Sequence, residues 1–113
     1  MAITEADTET VRKLYRPDAR IWHNSSGKLQ TVDENIESIG KIHSILDNLH
    51  YEIVRREPTS NGFFQQHILR GTRASGEAYA MHACVIIDIE DGLITRLDEY
   101  LDSADSALSQ QQA

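Results

Sequence analysis

Residues 78–101, AYAMHACVIIDIEDGLITRLDEYL, decide the fold of this chain. The run from Ala78 to Glu90 is rich in apolar and β-branched residues, and the run from Leu93 alternates. Between them stands Asp91-Gly92, a dipeptide suited to a two-residue hairpin turn because both central residues need positive φ. With Glu90 paired to Leu93, counting back across the turn sets Ile86 against Leu97, Cys84 against Glu99 and His82 against Leu101. One face of the hairpin then carries His82, Cys84 and Glu99 among aliphatic side chains, as the wall of a pocket would.

Upstream, Phe63 to Arg73 reads as another long strand. A four-residue loop, 74–77, pairs Arg73 with Ala78 and adds Gln65, His67 and Leu69 to the pocket face beside Ile86, Leu97 and Leu101. The opposite face carries Phe64, Ile68, Tyr79, Met81, Val85, Ile87 and Tyr100. A sheet that is apolar on both faces needs cover on both. Only two helices are available, so a homodimer through the outer sheet face is expected.

Before these strands, Tyr51 to Arg56 is a short strand, and Pro58 to Gly62 is a cluster of turn formers. Thr31-Val32-Asp33-Glu34 has the form of a capping box, Thr31 capping the helix while Glu34 reaches back. Ile36, Ile39, Ile42, His43, Leu46 and Leu49 follow at helical spacing as an apolar stripe. Ala19 to His23 is a short strand, followed by a loop at Asn24-Ser25-Ser26-Gly27. A first helix is expected over Thr4 to Leu14, acidic early and basic at Arg12 and Lys13, as the helix dipole favours. It should end at Arg16-Pro17-Asp18, because a residue before proline avoids helical geometry. Helices segregated from strands give an α+β fold, a curved, mostly antiparallel sheet wrapped around the longer helix. One domain is expected over 1–103, with a disordered tail at 104–113.

Composition narrows the function. Forty per cent hydrophobic and 26% charged residues are ordinary for a globular protein, and 113 residues make one domain. A net charge of −7 argues against nucleic acid or an anionic membrane as partner. The single cysteine cannot form an intramolecular disulfide. No run approaches the length of a membrane span, and the polar start lacks a signal-peptide core, so a cytoplasmic location is expected. The five histidines show no paired metal-ligand spacing, and there is no phosphate loop or dinucleotide glycine pattern, so neither metal nor cofactor is expected.

LYRPDARIWHNSSG, then a capped helix, then three long strands closing with DGLITRLDEYLD, resembles the SnoaL-like and ketosteroid-isomerase-like family of the nuclear transport factor 2-like superfamily. The likeness covers about residues 8 to 103. It implies a cone-shaped α+β barrel with a deep pocket. It also implies that His23 stands where ketosteroid isomerases hold their aspartate base, and Cys84 near their protonated aspartate. Leu97, Glu99 and Leu101 would line the pocket. The chain departs from that pattern in lacking both carboxylates and an equivalent of the helix that supplies the oxyanion-hole tyrosine. Strict steroid isomerisation is therefore not expected.

Two functions follow. The first is a cofactor-free isomerase, cyclase or dehydratase that moves a proton on a small apolar carbonyl or hydroxyl compound. An imidazole titrates near neutral pH, which suits His23 as base. Glu99, between two leucines, would be desolvated, the condition that fits a carboxyl for acid–base work. His67 and His82 share the expected face and are its candidate partners. Trp22, Gln65, Leu69, Cys84, Ile86, Leu97 and Leu101 would bind the substrate. The alternative is a non-catalytic ligand-binding or assembly module using the same pocket, since one fold hosts many functions. The mundane roles are a loop-bonded His23, an ion-paired Glu99 and an inert, buried Cys84.

Overall fold

The computed structural model describes residues 8–102. Six strands form one mixed sheet in the order β2-β1-β6-β5-β4-β3, accompanied by two helices. The outlying parts of two expectations, the start of the first helix at 4–7 and the tail at 104–113, lie outside the described residues. Among the described residues no helix is long and apolar enough to cross a membrane.

The first helix, α1 (Thr8–Lys13), stops before Tyr15, and β1 (Tyr15–His23) begins four residues earlier than the sequence suggested. Pro17 is accommodated because the β1–β6 ladder is irregular between Tyr15 and Arg20, where a missing N–H donor costs no pairing. Val11, Tyr15, Ala19 and Ile21 bury into one core cluster with Val32 and Ile36. Arg12 bonds Asp33, joining α1 to the start of the second helix.

A two-residue strand, β2 (Leu29–Gln30), leads into α2 (Val32–Ile45). The capping box forms as expected: Glu34 N donates to Thr31 Oγ1 at 3.2 Å, and Thr31 N to Glu34 Oε1 at 2.9 Å. The helix ends sooner than its apolar stripe. Leu46 is already extended, with φ −127° and ψ 136°, and opens β3 (Leu46–Pro58) without a loop. Leu46 therefore packs from the strand, in a second core cluster with Leu69, Tyr79, Met81 and Ala83.

The remaining strands are β4 (Gly62–Arg73), β5 (Ala78–Glu90) and β6 (Leu93–Leu101). Asp91 and Gly92 have φ of 52° and 80°, and Glu90 faces Leu93 as expected. Two residues further the register changes. Ile89 faces Ile94 but Asp88 faces Arg96, which leaves Thr95 as the extra residue of a β-bulge, its hydroxyl 3.4 Å from the Asp88 carbonyl. At the other end of β5, Arg73 N bonds the Glu77 carbonyl and Gly76 N bonds the Arg73 carbonyl. This is a three-residue loop with Gly76 in the left-handed region at φ 91°, not the four-residue loop first counted.

Each difference moves β5 by one residue against its neighbour. Cys84 faces Tyr100 and Gln66, Ile86 faces Asp98 and Phe64, and His82 faces Ile68. Since adjacent residues point to opposite faces, the expected face of β5 is inverted. Tyr79, Met81, Ala83, Val85 and Ile87 are the buried ones. The two shifts add to two residues between β4 and β6, which keeps both strands on the expected face but puts Gln65, and not His67, in one row with Glu99 across Val85.

Candidate functional site

The parallel ladder between β1 and β6 sets Ile21 against Leu97 and His23 against Glu99. Asn24 then fixes its end. Its backbone N donates to the Glu99 carbonyl at 3.1 Å, and its side chain exchanges two 3.0 Å bonds with the backbone of Leu101. That clamp holds Glu99 beside β1, and His23 Nε2 lies 3.0 Å from Glu99 Oε1. The two candidate acid–base groups are thus within hydrogen-bond reach, although 76 positions apart in the chain.

Glu99 has a second neighbour. His67 Nε2 is 3.9 Å from Glu99 Oε2, too long for a hydrogen bond. The His67 side chain is only 4% exposed and stacks edge-on against Tyr51, with ring centroids 4.7 Å apart. Gln65, two residues away on the same face of β4, bonds His67 Nδ1 at 2.8 Å. Arg56, opposite Gln65 on β3, donates to Gln65 Oε1 at 2.9 Å through Nε. Five side chains from four strands therefore run across this face: Arg56, Gln65, His67, Glu99 and His23.

A cavity of about 130 Å³ lies over four of them, Gln65, His67, Glu99 and His23, with Arg56 outside it. Its walls come from both core clusters, Ile21 and Leu97 on one side and Leu69 and Met81 on the other. Ile39 and Ile42 of α2 also border it. A second hollow of about 200 Å³ shares His23, Ser38, Ile42 and Glu99 and extends to Ser25, Ser26 and Gln30. The low-dielectric setting acts on the titratable groups. Burial lowers the His67 pKa, against the opposing pull of Glu99, so the ring favours its neutral form. Burial first, then the Glu99 charge, pushes the Tyr15 phenol up to about 12, and the same two effects raise Tyr51 further.

Of the residues singled out in the sequence, His23, Glu99, His67, Gln65, Leu69 and Leu97 border this cavity, and Leu101 borders the adjoining hollow. His82, Cys84, Ile86 and Trp22 do not. They lie on the opposite face, the β5 three because of the register shifts and Trp22 because it pairs with Asp98 one position from His23. His82 is thus no partner for Glu99, and Trp22 packs edge-on against Tyr100 at 5.2 Å. Cys84 and His82 border a separate outer hollow with Phe64 and Tyr100. Sequence reasoning missed Tyr15 and Tyr51, and the bond from Arg56 to Gln65. Tyr51 was legible in principle, since it faces Leu69 across β3 and β4. Among the described residues no group of three His, Cys, Asp or Glu side chains is arranged to hold a metal ion.

Comparison with known proteins gives a consistent picture. A family model described as a SnoaL-like domain matches residues 1–97. No curated protein matches the sequence. Among solved structures, the chain is similar to wild-type IdmH, a proposed polyketide cyclase from Streptomyces antibioticus. Identity is 18%, coverage is 99% of this chain and 91% of that one, and the TM-score is 0.83. It is also similar to a protein of ketosteroid isomerase-like fold from Catenulispora acidiphila DSM 44928, solved with trimethylamine. There the identity is 13%, with coverage of 92% and 82% and a TM-score of 0.79. A proposed SnoaL-like polyketide cyclase from Shewanella denitrificans OS-217 matches at 15% identity over 99% and 90% of the chains, with a TM-score of 0.75. At such identities the likeness establishes the fold.

Proposed function

This chain belongs to the SnoaL-like domain family, and from that premise we propose that it binds a small apolar molecule in the inner cavity and moves a proton on it without a cofactor. The observation that carries this reading is the 3.0 Å contact between His23 Nε2 and Glu99 Oε1 in a cavity otherwise lined mainly by aliphatic residues. The sheet is read as a cone closed around α2, with the pair on its inner wall. His23 takes the base role and Glu99 holds the imidazolium that forms, since an adjacent carboxylate stabilises that cation. The substrate is a carbonyl or hydroxyl compound. The C–H bond next to the carbonyl breaks, its proton passes to the pair, and its electrons move onto oxygen as an enol or enolate. Returning the proton to another carbon completes an isomerisation; attack of the enol carbon on a second carbonyl carbon of the substrate, whose oxygen takes the proton, gives a cyclisation; and expulsion of a β-hydroxyl, which takes the proton and leaves as water, gives a dehydration.

The test is α-hydrogen exchange of 2-tetralone in D₂O, followed by NMR. Wild-type protein should accelerate exchange, and Glu99→Gln should lose about 10²-fold, the lower end of what a positioned general base contributes. Equal exchange by both proteins would overturn the assignment of the pair. Binding of 2-tetralone without accelerated exchange would leave a ligand-binding module and remove the catalytic half of the proposal.

The same reading includes a homodimer through the outer sheet face. That face exposes Val54 (55%), Ile86 (44%) and Tyr100 (48%) beside Trp22 and Phe64, an unusual run of apolar area for a surface. Sedimentation at micromolar concentration should give twice the chain mass, and a monomer there would rule the dimer out.

A further inference from the structure

We propose that the gap between His67 Nε2 and Glu99 Oε2 is an anchoring site for a neutral hydroxyl group of the ligand. The proposal rests on the reading of the inner cavity as a small-molecule site and adds the chemical class that it selects.

The polarity of the site follows from a chain of forced choices. A guanidinium can only donate, so Arg56 must meet the oxygen of Gln65, and it does. That turns the Gln65 amide nitrogen toward His67, where an NH₂ group can only donate. His67 Nδ1 is therefore the acceptor nitrogen, and in a neutral ring the proton then resides on Nε2. Arg56, distant from the cavity's acid–base pair, thereby fixes the tautomer of a ring inside the cavity. Nε2–H faces Glu99 Oε2 across 3.9 Å and finds no hydrogen-bond partner among the described residues, although its side chain is 96% buried.

A buried donor without an acceptor is costly, and native interiors rarely tolerate one. An oxygen placed about 2.8 Å from both atoms would complete the arrangement, with an angle near 90° between its two bonds, within the broad range that hydroxyls accept. That oxygen must accept from His67 and donate to the Glu99 carboxylate. A ketone or ether accepts only, a protonated amine donates only, and a carboxylate would be repelled by Glu99. A hydroxyl satisfies both partners. The other buried side-chain atom that lacks a partner among the described residues is Gln30 Oε1, an acceptor in the adjoining hollow that shares His23 and Glu99. Its amide nitrogen is spent on Ser38 Oγ at 3.3 Å. A ligand with an apolar body, one hydroxyl seated deep and a second donor nearer Gln30 would satisfy both orphaned atoms.

The test uses 1-naphthol, 1-methoxynaphthalene and 1-methylnaphthalene as matched probes, which respectively accept and donate, accept only, and do neither. Titration calorimetry on the wild-type protein should give 1-naphthol at least tenfold tighter binding than either analogue. His67→Phe keeps the ring volume and should bring the three within about twofold. Three similar affinities on the wild type would overturn the hydroxyl site while leaving the cavity as a binding site, the gap then belonging to water. Binding of none of the three would overturn both. If His67→Phe fails to fold, NMR of the wild-type imidazoles decides: the proton of His67 should reside on Nε2, and the Nε2 resonance should move on adding 1-naphthol. A proton on Nδ1 would break the chain of donors and overturn the proposal.

Discussion

On one face of β5, Val85 lies in a row with Gln65 and Glu99 and is 4% exposed. On the other face its neighbour Ile86 lies between Phe64 and Asp98 and is 44% exposed. The two residues have nearly the same hydrophobicity and strand propensity, so neither property tells inside from outside. The polar groups do. On the inner face buried Gln65 and His67 bond each other, Arg56 holds Gln65 from the rim, and the His23–Glu99 pair stands across a 3.9 Å gap, a setting where each polar contact is stronger and each unmet one dearer. On the outer face Arg96 pairs with Asp98 at 2.6 Å while partly exposed, a contact that solvent weakens. The inner polar groups have been assembled into a unit, and the outer ones have not.

The sharpest way to break that contrast is to place the same charge on each face. Val85→Asp puts a carboxylate beside Glu99 with no cation between them and should cost about 3–5 kcal/mol, as uncompensated buried charges do. Ile86→Asp should cost about 1–2 kcal/mol in the monomer, because the site is solvated and the loss is limited to packing, strand propensity and a screened repulsion from Asp98 across the strand pair. Urea midpoints of the two variants measure the difference. A larger loss for Ile86→Asp would mean that β5 keeps the register first counted from its turns, and comparable losses would mean that its two faces do not differ as described.

That register also shows what the chain declares and what it withholds. Asp91-Gly92 announced its turn, and Thr31 with Glu34 announced a helix start, because each depends on local chemistry that a few residues specify. The bulge at Thr95 had no such signal, since a bulged residue near helical geometry can be of any type and its placement is set by the sheet around it. Gly76 did carry one, as the left-handed residue of a three-residue loop. So did β5 itself. Its buried set, Tyr79 to Ile87, is apolar throughout, whereas the alternate set includes His82 and Asp88. Reading that alternation ahead of the turn length would have placed Val85 and not Cys84 beside Glu99. The parallel pairing of β1 with β6, which joins His23 to Glu99, depends on strands far apart in the chain; the family resemblance put the two residues in one pocket but did not give the pairing.

The smallest expected effects come from titrating the inner face, and their signs are fixed. Burial lowers the folded-state pKa of His67 below its ordinary 6.5, with the Glu99 charge opposing and with Gln65 and Tyr51 as its uncharged neighbours. The unfolded chain then binds more protons than the folded one in that window, so stability is complete above about pH 6.5 and falls as the pH drops through the folded value. Each unit of displacement is worth about 1.4 kcal/mol, which keeps this below the cost of Val85→Asp. Glu34 acts in a lower window. Its bonds to Thr31 depress its pKa below 4.5, and its contribution is lost only as the carboxylate protonates. On the alkaline side the order reverses: Tyr15 and Tyr51 are raised, the fold favours their neutral phenols, and stability declines from about pH 10 as the unfolded chain ionises first. Urea midpoints measured from pH 4.5 to 7.5 should slope for the wild type and flatten for His67→Phe. A slope that survives the substitution would show that the acid-sensitive group is not His67.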